Sequence, residues 1–181
     1  MKAKLSLLLF TVLIPIQLLI PANMILEQET VLHKGKEYKL RSQPIDPYDA
    51  FRGRYVRLGF DTTTIAVPEN HRKRNTQKAY AFLDTDDQGF SFIKEIVFDT
   101  PTGTDYLRVR IGTIRNGKAT VIWPFERYYM EESKAPEAEK LYRSRNDESE
   151  AYITVRIYKG TGVIAGLYID DMRIEERINQ K

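Results

Sequence analysis

The sequence predicts a mainly β domain, a sandwich or barrel-like antiparallel sheet with one inserted short helix, preceded by an N-terminal transmembrane helix or signal segment. Three observations lead to this prediction. Short runs rich in Val, Ile, Tyr and Phe recur at nearly regular spacing between turn residues, as in antiparallel β folds. Only residues 135–145 make a good soluble helix, and an apolar run opens the chain. At 181 residues the chain is long enough for one domain with its own core.

The apolar run covers residues 5–26 and contains no charged side chain. A helix of this length crosses a hydrocarbon core of roughly 30 Å. Lys2 and Lys4 lie on its short N-terminal side, and the positive-inside tendency places that end in the cytoplasm. We therefore expect residues 1–26 to form a membrane anchor or signal segment, with the lipid bilayer contacted by residues 5–26. Residues 27–181 would then form an extracytoplasmic, mainly β domain.

A secretory signal peptide is the competing interpretation of the same run. Lys2 and Lys4 would make its basic region, and residues 5–14 its apolar region. Residues 21–24, however, offer a single small residue, Ala22, rather than a small-x-small cleavage pattern. The sequence thus favours an uncleaved single-pass protein of the cell membrane. The alternative is a secreted or periplasmic domain released by cleavage.

Strands are predicted wherever apolar or alternating residues lie between turn signals. The predicted strands cover residues 27–32, 37–41, 55–60, 79–83, 90–98, 106–114, 119–123, 126–130, 152–158, 163–169 and 172–175. Asn116-Gly117 is the strongest hairpin signal, because this dipeptide suits a type I′ turn. A turn over residues 159–162 separates the last long pair. The helix over residues 135–145 has Pro136 in its first turn and its acidic residues before its basic ones, as the helix dipole prefers.

Charge and composition exclude several function classes. Of the 28 basic residues, Lys2 and Lys4 precede the apolar run, so the rest of the chain nearly balances its 25 acidic residues. This balance predicts no nucleic-acid partner. The chain has no cysteine, which excludes disulfides and thiol chemistry. His33 and His71 show no metal-binding spacing, and we expect neither a metal nor a cofactor.

The segment over residues 45–61 is the least generic part of the chain. Its first half is rich in turn residues, since Asp46 and Asp49 accompany a proline and disfavour helix. Gly53 permits a sharp or close-packed backbone, and a half-buried strand follows. Asp46, Asp49 and Asp61 flank the motif and are expected to pair with Arg52, Arg54 or Arg57 through charge-assisted hydrogen bonds that fix this loop; a general acid/base pair is the alternative. The sequence predicts a binding surface where the loop meets the strand.

Residues 46–60 resemble the signature of the GDYXXLXY protein family. The direct matches are Gly53, Tyr55 and Leu58. Arg54 stands where the motif has Asp, and Phe60 stands where it has its final Tyr. Residues 124–129 and 166–171 also look like parts of that family, so the likeness covers nearly the whole chain.

The family is described as bacterial and of uncharacterised function, and the resemblance implies an N-terminal hydrophobic segment before an extracytoplasmic domain. Members of this family are often found with multi-spanning membrane proteins, so it implies another integral membrane protein as the partner. Arg54 reverses a charge. If the acid at that position were a base or a metal ligand in relatives, this chain could not use it so.

Glu126 and Arg127 are the candidate contact residues outside the central segment. They combine a charge pair with the aromatic faces of Tyr128 and Tyr129. Such groups can anchor a ligand or a protein partner. Equally, Tyr128 could belong to the core with Arg127 stacked over it. Both interpretations remain open on the sequence.

Two further groups of residues are candidates for chemistry. Asp84, Asp86 and Asp87 offer oxygen ligands, but they lack the calcium-loop pattern and favour a hairpin turn. Ser91 and Lys94 lie in one predicted strand, and a membrane-tethered hydrolase of Ser-Lys type is the enzyme alternative. No nucleophile elbow or phosphate loop occurs. The sequence thus favours a membrane-anchored binding or structural module over an enzyme.

Overall fold

The computed structural model describes residues 2–44, 55–60, 63–69, 78–144 and 149–180, and the side chains of residues 2–9, 12 and 44 lie outside that description. Four of the predicted site residues therefore fall outside the described part of the chain: Asp46, Asp49, Arg52 and Gly53. Tyr55, Leu58, Glu126 and Arg127 lie within it.

The described residues form a long N-terminal helix, a β domain and two short helices. The helices are α1 (Lys2–Lys34), α2 (Ala135–Arg143) and α3 (Ile174–Asn179). The strands are β1 (Lys36–Arg41), β2 (Gln43–Pro44), β3 (Tyr55–Gly59), β4 (Thr64–Ala66), β5 (Lys78–Thr85), β6 (Ser91–Val97), β7 (Leu107–Ile111), β8 (Lys118–Ile122), β9 (Arg127–Tyr129), β10 (Ala151–Tyr158), β11 (Thr161–Ile169) and β12 (Met172–Arg173).

The strands pair antiparallel in three groups that surround one core. Their orders are β1-β10-β11-β12, β2-β3-β9 and β4-β8-β7-β5-β6. Strand β1 lies beside β6, and a bridge between Leu107 and Gly160 joins β7 to the β10–β11 turn. The groups thereby follow one another into a nearly closed, barrel-like sheet. The prediction of a mainly β, antiparallel fold is confirmed.

Alternation of apolar and polar residues explains most of the core. Strands β7 and β8 alternate buried and exposed side chains along their whole length, which marks sheets with one face in the interior. Strand β10 lies between β1 and β11, and its first five residues are all buried. Ile153, Val155 and Ile157 form its fully buried face, as the sequence predicts.

Two hairpins close with two-residue turns. Asn116 and Gly117 have φ values of 51° and 74°, as a type I′ turn requires, and the turn predicted there is confirmed. Lys159 and Gly160 have φ values of 49° and 84°. The turn predicted over residues 159–162 is therefore shorter, because Thr161 already pairs with Tyr158.

The strand predicted over residues 27–32 is wrong. Helix α1 continues through this segment to Lys34. Glu29 and His33 lie one turn apart, with 3.4 Å between the carboxylate and the imidazole. Val31 is only 2 % exposed and holds the last turns of the helix against β10 and β11. Packing of this one apolar side chain supports a helical end that the local sequence alternation did not reveal.

The segment predicted as a strand over residues 172–175 is only partly extended. It pairs with β11 through Met172 and Arg173 and then turns into α3. Ile174 is fully buried at the start of that helix. The helix predicted over residues 135–145 forms over Ala135–Arg143.

Most of α1 stands away from the β domain. Consecutive side chains such as Leu18, Leu19 and Ile20 are 64 %, 58 % and 64 % exposed, so no side of this part is covered. Pro15 and Pro21 both lie inside the helix. Among the residues described, no helix is both long and apolar enough to cross a membrane.

Candidate partner-binding cleft

A cleft of ≈ 500 Å³ opens between the end of α1 and one side of the β domain. Both contact residues predicted outside the central segment, Glu126 and Arg127, lie on its wall. Its lining comes from three separate parts of the chain: Gln28, then Pro124, Phe125, Glu126, Arg127, Tyr128 and Tyr129, then Gly162, Val163 and Ile164. The sequence did not predict the contributions of α1 and β11, because only the tertiary fold brings them beside β9.

The floor of the cleft depends on a glycine. A Cβ atom at Gly162 would lie 2.6 Å from the ring of Phe125, closer than real contacts allow. Phe125 is buried there and packs against Trp123 and Phe60. Only a residue without a side chain lets β11 pass so close to this aromatic cluster.

Four side chains form a platform beside the cleft, on the outer face of β3 and β9. Tyr55 pairs with Tyr129, and Arg57 pairs with Arg127. The Leu58 N–H donates to the Glu126 carbonyl at 3.1 Å, so the two platform pairs occupy the alternate, non-hydrogen-bonded positions. Side chains at such positions start closest together, with Cα atoms about 4.5 Å apart. We call Tyr55, Arg57, Arg127 and Tyr129 the Arg/Tyr platform.

Arg127 leans across the platform toward the two tyrosines. Its Cζ atom lies 4.8 Å from the centre of the Tyr55 ring, and the Tyr55 and Tyr129 rings are 5.8 Å apart. A hydrogen bond to Tyr129 raises the pKa of Arg127 above its ordinary value, so the guanidinium stays charged. Tyr129 itself is 66 % exposed. The platform thus presents aromatic faces and positive charge to the outside.

The two alternatives for residues 126–129 are resolved by strand alternation. Tyr128 points inward, is buried, and donates from its hydroxyl to Glu175. Burial raises the pKa of Tyr128 to about 12. Arg127 stacks on Tyr55 rather than covering Tyr128, and Glu126 contacts Arg110 at 3.5 Å. Tyr128 is therefore a core residue, while its neighbours face the cleft.

Leu58, singled out with Tyr55 in the central segment, has a different role. It is 3 % exposed and belongs to the core. Because side chains alternate along β3, Leu58 points inward while Tyr55 and Arg57 lie on the outer side. Leu58 therefore supports the strand from the core and is not part of its outer face.

The acidic run over residues 84–87 forms a turn. The Asp86 carboxylate accepts from the backbone N–H of Phe90 at 2.8 Å and of Gln88 at 3.0 Å, and pairs with Arg41 at 3.0 Å. These contacts, that of Phe90 first, hold the pKa of Asp86 below its ordinary value. The hairpin prediction is confirmed. Within the described residues, no group of three or more His, Asp or Glu side chains could hold a metal ion.

Ser91 and Lys94 lie on the same strand, β6. The Lys94 ammonium donates to Asp84 at 2.7 Å, and this hydrogen bond raises the pKa of Lys94. A lysine that acts as a base needs the opposite shift. The geometry of the described residues therefore gives no support to the Ser-Lys hydrolase, which stays a prediction.

Comparison with known proteins gives one match. A protein-family model described as "GDYXXLXY protein" matches residues 17–167, which is most of the chain. The resemblance inferred from residues 46–60 is thereby confirmed. Neither the curated proteins nor the solved structures contain a significant match.

Proposed function

We propose that this chain, which belongs to the GDYXXLXY protein family, is a membrane-anchored extracytoplasmic module that binds a multi-spanning membrane protein. The observation that carries the proposal is the position of the cleft at the foot of the apolar helix. Its wall contains Arg127 and Tyr129, and arginine and tyrosine are residue types that dominate the energetics of protein interfaces.

The anchor is supported by the apolar run over residues 5–26, which begins before the first described side chain of α1. The described part of the run is exposed in every direction, and a helix that is apolar all round is suited to lipid. Lys2 and Lys4 precede the run, which favours a cytoplasmic N-terminus and an extracytoplasmic β domain.

The class of partner follows from the position of the cleft relative to the apolar run of α1. Gln28 lines the cleft and lies two residues beyond the apolar run, a rise of about 3 Å along the helix. If the run lies in the bilayer, the cleft opens at the membrane surface. A protein that reaches it there would itself be a membrane protein, and its extracytoplasmic loops could contact Glu126 and Arg127.

The test is a crosslinked pull-down of the full-length protein from membranes, with mass spectrometry of the partner and of the N-terminus. We expect an intact N-terminus and a multi-spanning protein in stoichiometric amount. The substitution Arg127→Ala should lower recovery of that protein at least about threefold, since one exposed arginine at an interface contributes about 1 kcal/mol to binding. The melting temperature should change little, because Arg127 is exposed.

Arg115→Ala is the matched control. Arg115 is an exposed arginine in the β7–β8 turn, where its backbone rather than its side chain pairs with Lys118, and it does not line the cleft. Recovery from this variant should equal that from the unchanged protein. A mature N-terminus within residues 22–28 together with no partner would overturn the proposal in favour of a secreted domain.

A further inference from the structure

We propose that the Arg/Tyr platform is a binding site for a phosphate group. The proposal concerns the wall of the cleft described above, but it does not require the anchor, because either a free phosphate or a lipid headgroup would supply the same chemistry. It rests on three features of the described residues: two arginines at directly opposite strand positions, a neighbouring pair of tyrosines on the same face that contacts one of them, and access from the cleft.

The first feature is the opposite placement of two positively charged residues on neighbouring strands. Arg57 and Arg127 occupy directly opposite positions of a non-hydrogen-bonded pair, where side chains start closest together. Like charges at such positions destabilise a sheet. Among the described residues no carboxylate lies within ion-pair distance of either guanidinium, and Glu126, the nearest acid along the chain, contacts Arg110 instead. An anion placed between the two arginines would remove their repulsion.

The second feature is the arrangement of hydrogen-bond donors. Each guanidinium presents planar N–H groups that match the oxygens of phosphate, and two of them can share one phosphate. The rings of Tyr55 and Tyr129 lie 5.8 Å apart, and the Arg127 guanidinium makes a cation–π contact with Tyr55 at 4.8 Å. Arg127 is thus pre-oriented, whereas a freely rotating side chain would lose entropy on binding.

The third feature is access from the cleft. Arg127 and Tyr129 also line the ≈ 500 Å³ cleft, whose far wall is Gln28 of α1. A phosphate on the platform therefore has room for a larger group attached to it. The acyl-glycerol part of a lipid could extend along the exposed apolar side chains of α1, such as Met24 and Leu26.

Binding is measured with the full-length protein in a neutral detergent, by calorimetric titration with inorganic phosphate and with dihexanoyl phosphatidylglycerol below its micelle concentration. Sodium chloride at equal ionic strength serves as the blank. We expect saturable binding of at least one probe, weakened at least about fivefold by Arg57→Gln and by Arg127→Gln. Arg115→Gln, in the β7–β8 turn, should bind as the unchanged protein does.

A second measurement separates a binding role from a structural one. Without phosphate, Arg57→Gln should melt at the same temperature as the unchanged protein or higher, because the repulsion is gone. When the probe that binds is added, the melting temperature of the unchanged protein should rise and that of Arg57→Gln should not. A residue that merely supports the fold would instead lower the melting temperature in both conditions.

The two titrations distinguish a free phosphate from a lipid headgroup as the ligand. Binding of inorganic phosphate alone identifies a free phosphate or phosphomonoester, and binding of the phosphatidylglycerol alone identifies a lipid headgroup. Binding of neither, or equal binding by the platform variants and Arg115→Gln, overturns the proposal. If neither probe binds but Arg57→Gln loses the membrane partner in the pull-down, the platform recognises acidic side chains of a protein, and the proposed function stands without this inference.

Discussion

Adjacent residues of β9 illustrate how one position changes the role of a side chain. Tyr128 is buried and hydrogen-bonded to Glu175, which also pairs with Arg173 at 3.1 Å. Arg127 and Tyr129, one residue either side, face outward. The sequence left the role of Tyr128 open because the short strand predicted over residues 126–130 has polar and aromatic residues on both faces, so its alternation does not show which face is buried. The structure decides it through the contact with α3, an element that the sequence did not predict.

The buried tyrosines predict the response of stability to alkali. Burial raises the pKa values of Tyr128 and Tyr152 to about 12 from an ordinary value of 10. Each therefore contributes stability that is fully present below pH 10 and is lost as the pH rises through 12. We expect the free energy of unfolding to fall over this window, by on the order of 1–2 kcal/mol for each tyrosine.

The variant Tyr128→Phe tests the alkaline loss of stability at one residue. Loss of the hydrogen bond to Glu175 should cost about 1–2 kcal/mol at pH 7, measured by urea denaturation. The variant should also lose less stability than the unchanged protein between pH 10 and pH 12. Tyr129→Phe, on the exposed face, is the control and should show neither effect. A pH dependence unchanged in Tyr128→Phe would contradict the role given to this hydroxyl.

At the scale of elements, turn chemistry was the most reliable guide. Asn116-Gly117 correctly predicts the β7–β8 hairpin, whereas the turn predicted over residues 159–162 closes at Lys159-Gly160, where the lysine has a positive φ that this residue type rarely takes. The Lys159 N–H donates to the Thr104 carbonyl at 2.7 Å, a long-range contact that holds this conformation. The incorrect strand prediction over residues 27–32 also reflects a long-range contact, since Val31 packs against β10 and β11, which lie far away in the chain.

Gly160 tests the hairpin of β10 and β11. It has a φ of +84°, and a Cβ there would lie 2.8 Å from the ring of Tyr106. We expect Gly160→Ala to cost about 2–4 kcal/mol of unfolding free energy, from backbone strain and overpacking together. Thermal or urea unfolding measures this loss of stability.

Gly89 provides a matched control for that experiment. Its φ is +85°, but nothing lies within 4 Å of the place a Cβ would take. Gly89→Ala should therefore cost only the strain, about 1 kcal/mol. Equal losses in the two variants would mean that the Tyr106 ring moves aside and that the contact is not restrictive.

For the whole molecule, the fold class and most strands could be predicted from the pattern of the sequence, whereas the cleft could not. The mainly β class and most strands were predicted from alternation, and Glu126 and Arg127 from their charges beside aromatic residues. The cleft needs Gln28 and Val163, which are distant in sequence and carry no local signal. The Arg57–Arg127 pair depends on strand register, which a single sequence does not specify across so long a separation.

The junction of α1 and the β domain predicts where the chain can be shortened. A chain that begins at Glu27 keeps Val31 and should stay in solution without detergent, with a melting temperature close to that of the full protein. A chain that begins at Lys36 loses that buried side chain and should be about 1.5–3 kcal/mol less stable, a drop of several degrees. Equal melting temperatures of the two shortened chains would show that the last turns of α1 do not stabilise the domain.

The unbroken course of α1 into its docked end has a mechanical consequence. After Pro21 the chain passes from exposed apolar residues to the buried Val31 without a loop, and Gly35 donates to the Val31 carbonyl at 2.8 Å to close the joint. The segment of α1 after Pro21 therefore joins the β domain directly, without a flexible linker. We expect a tilt of this segment to be passed on to the β domain and to the cleft, where Gln28 forms part of the wall.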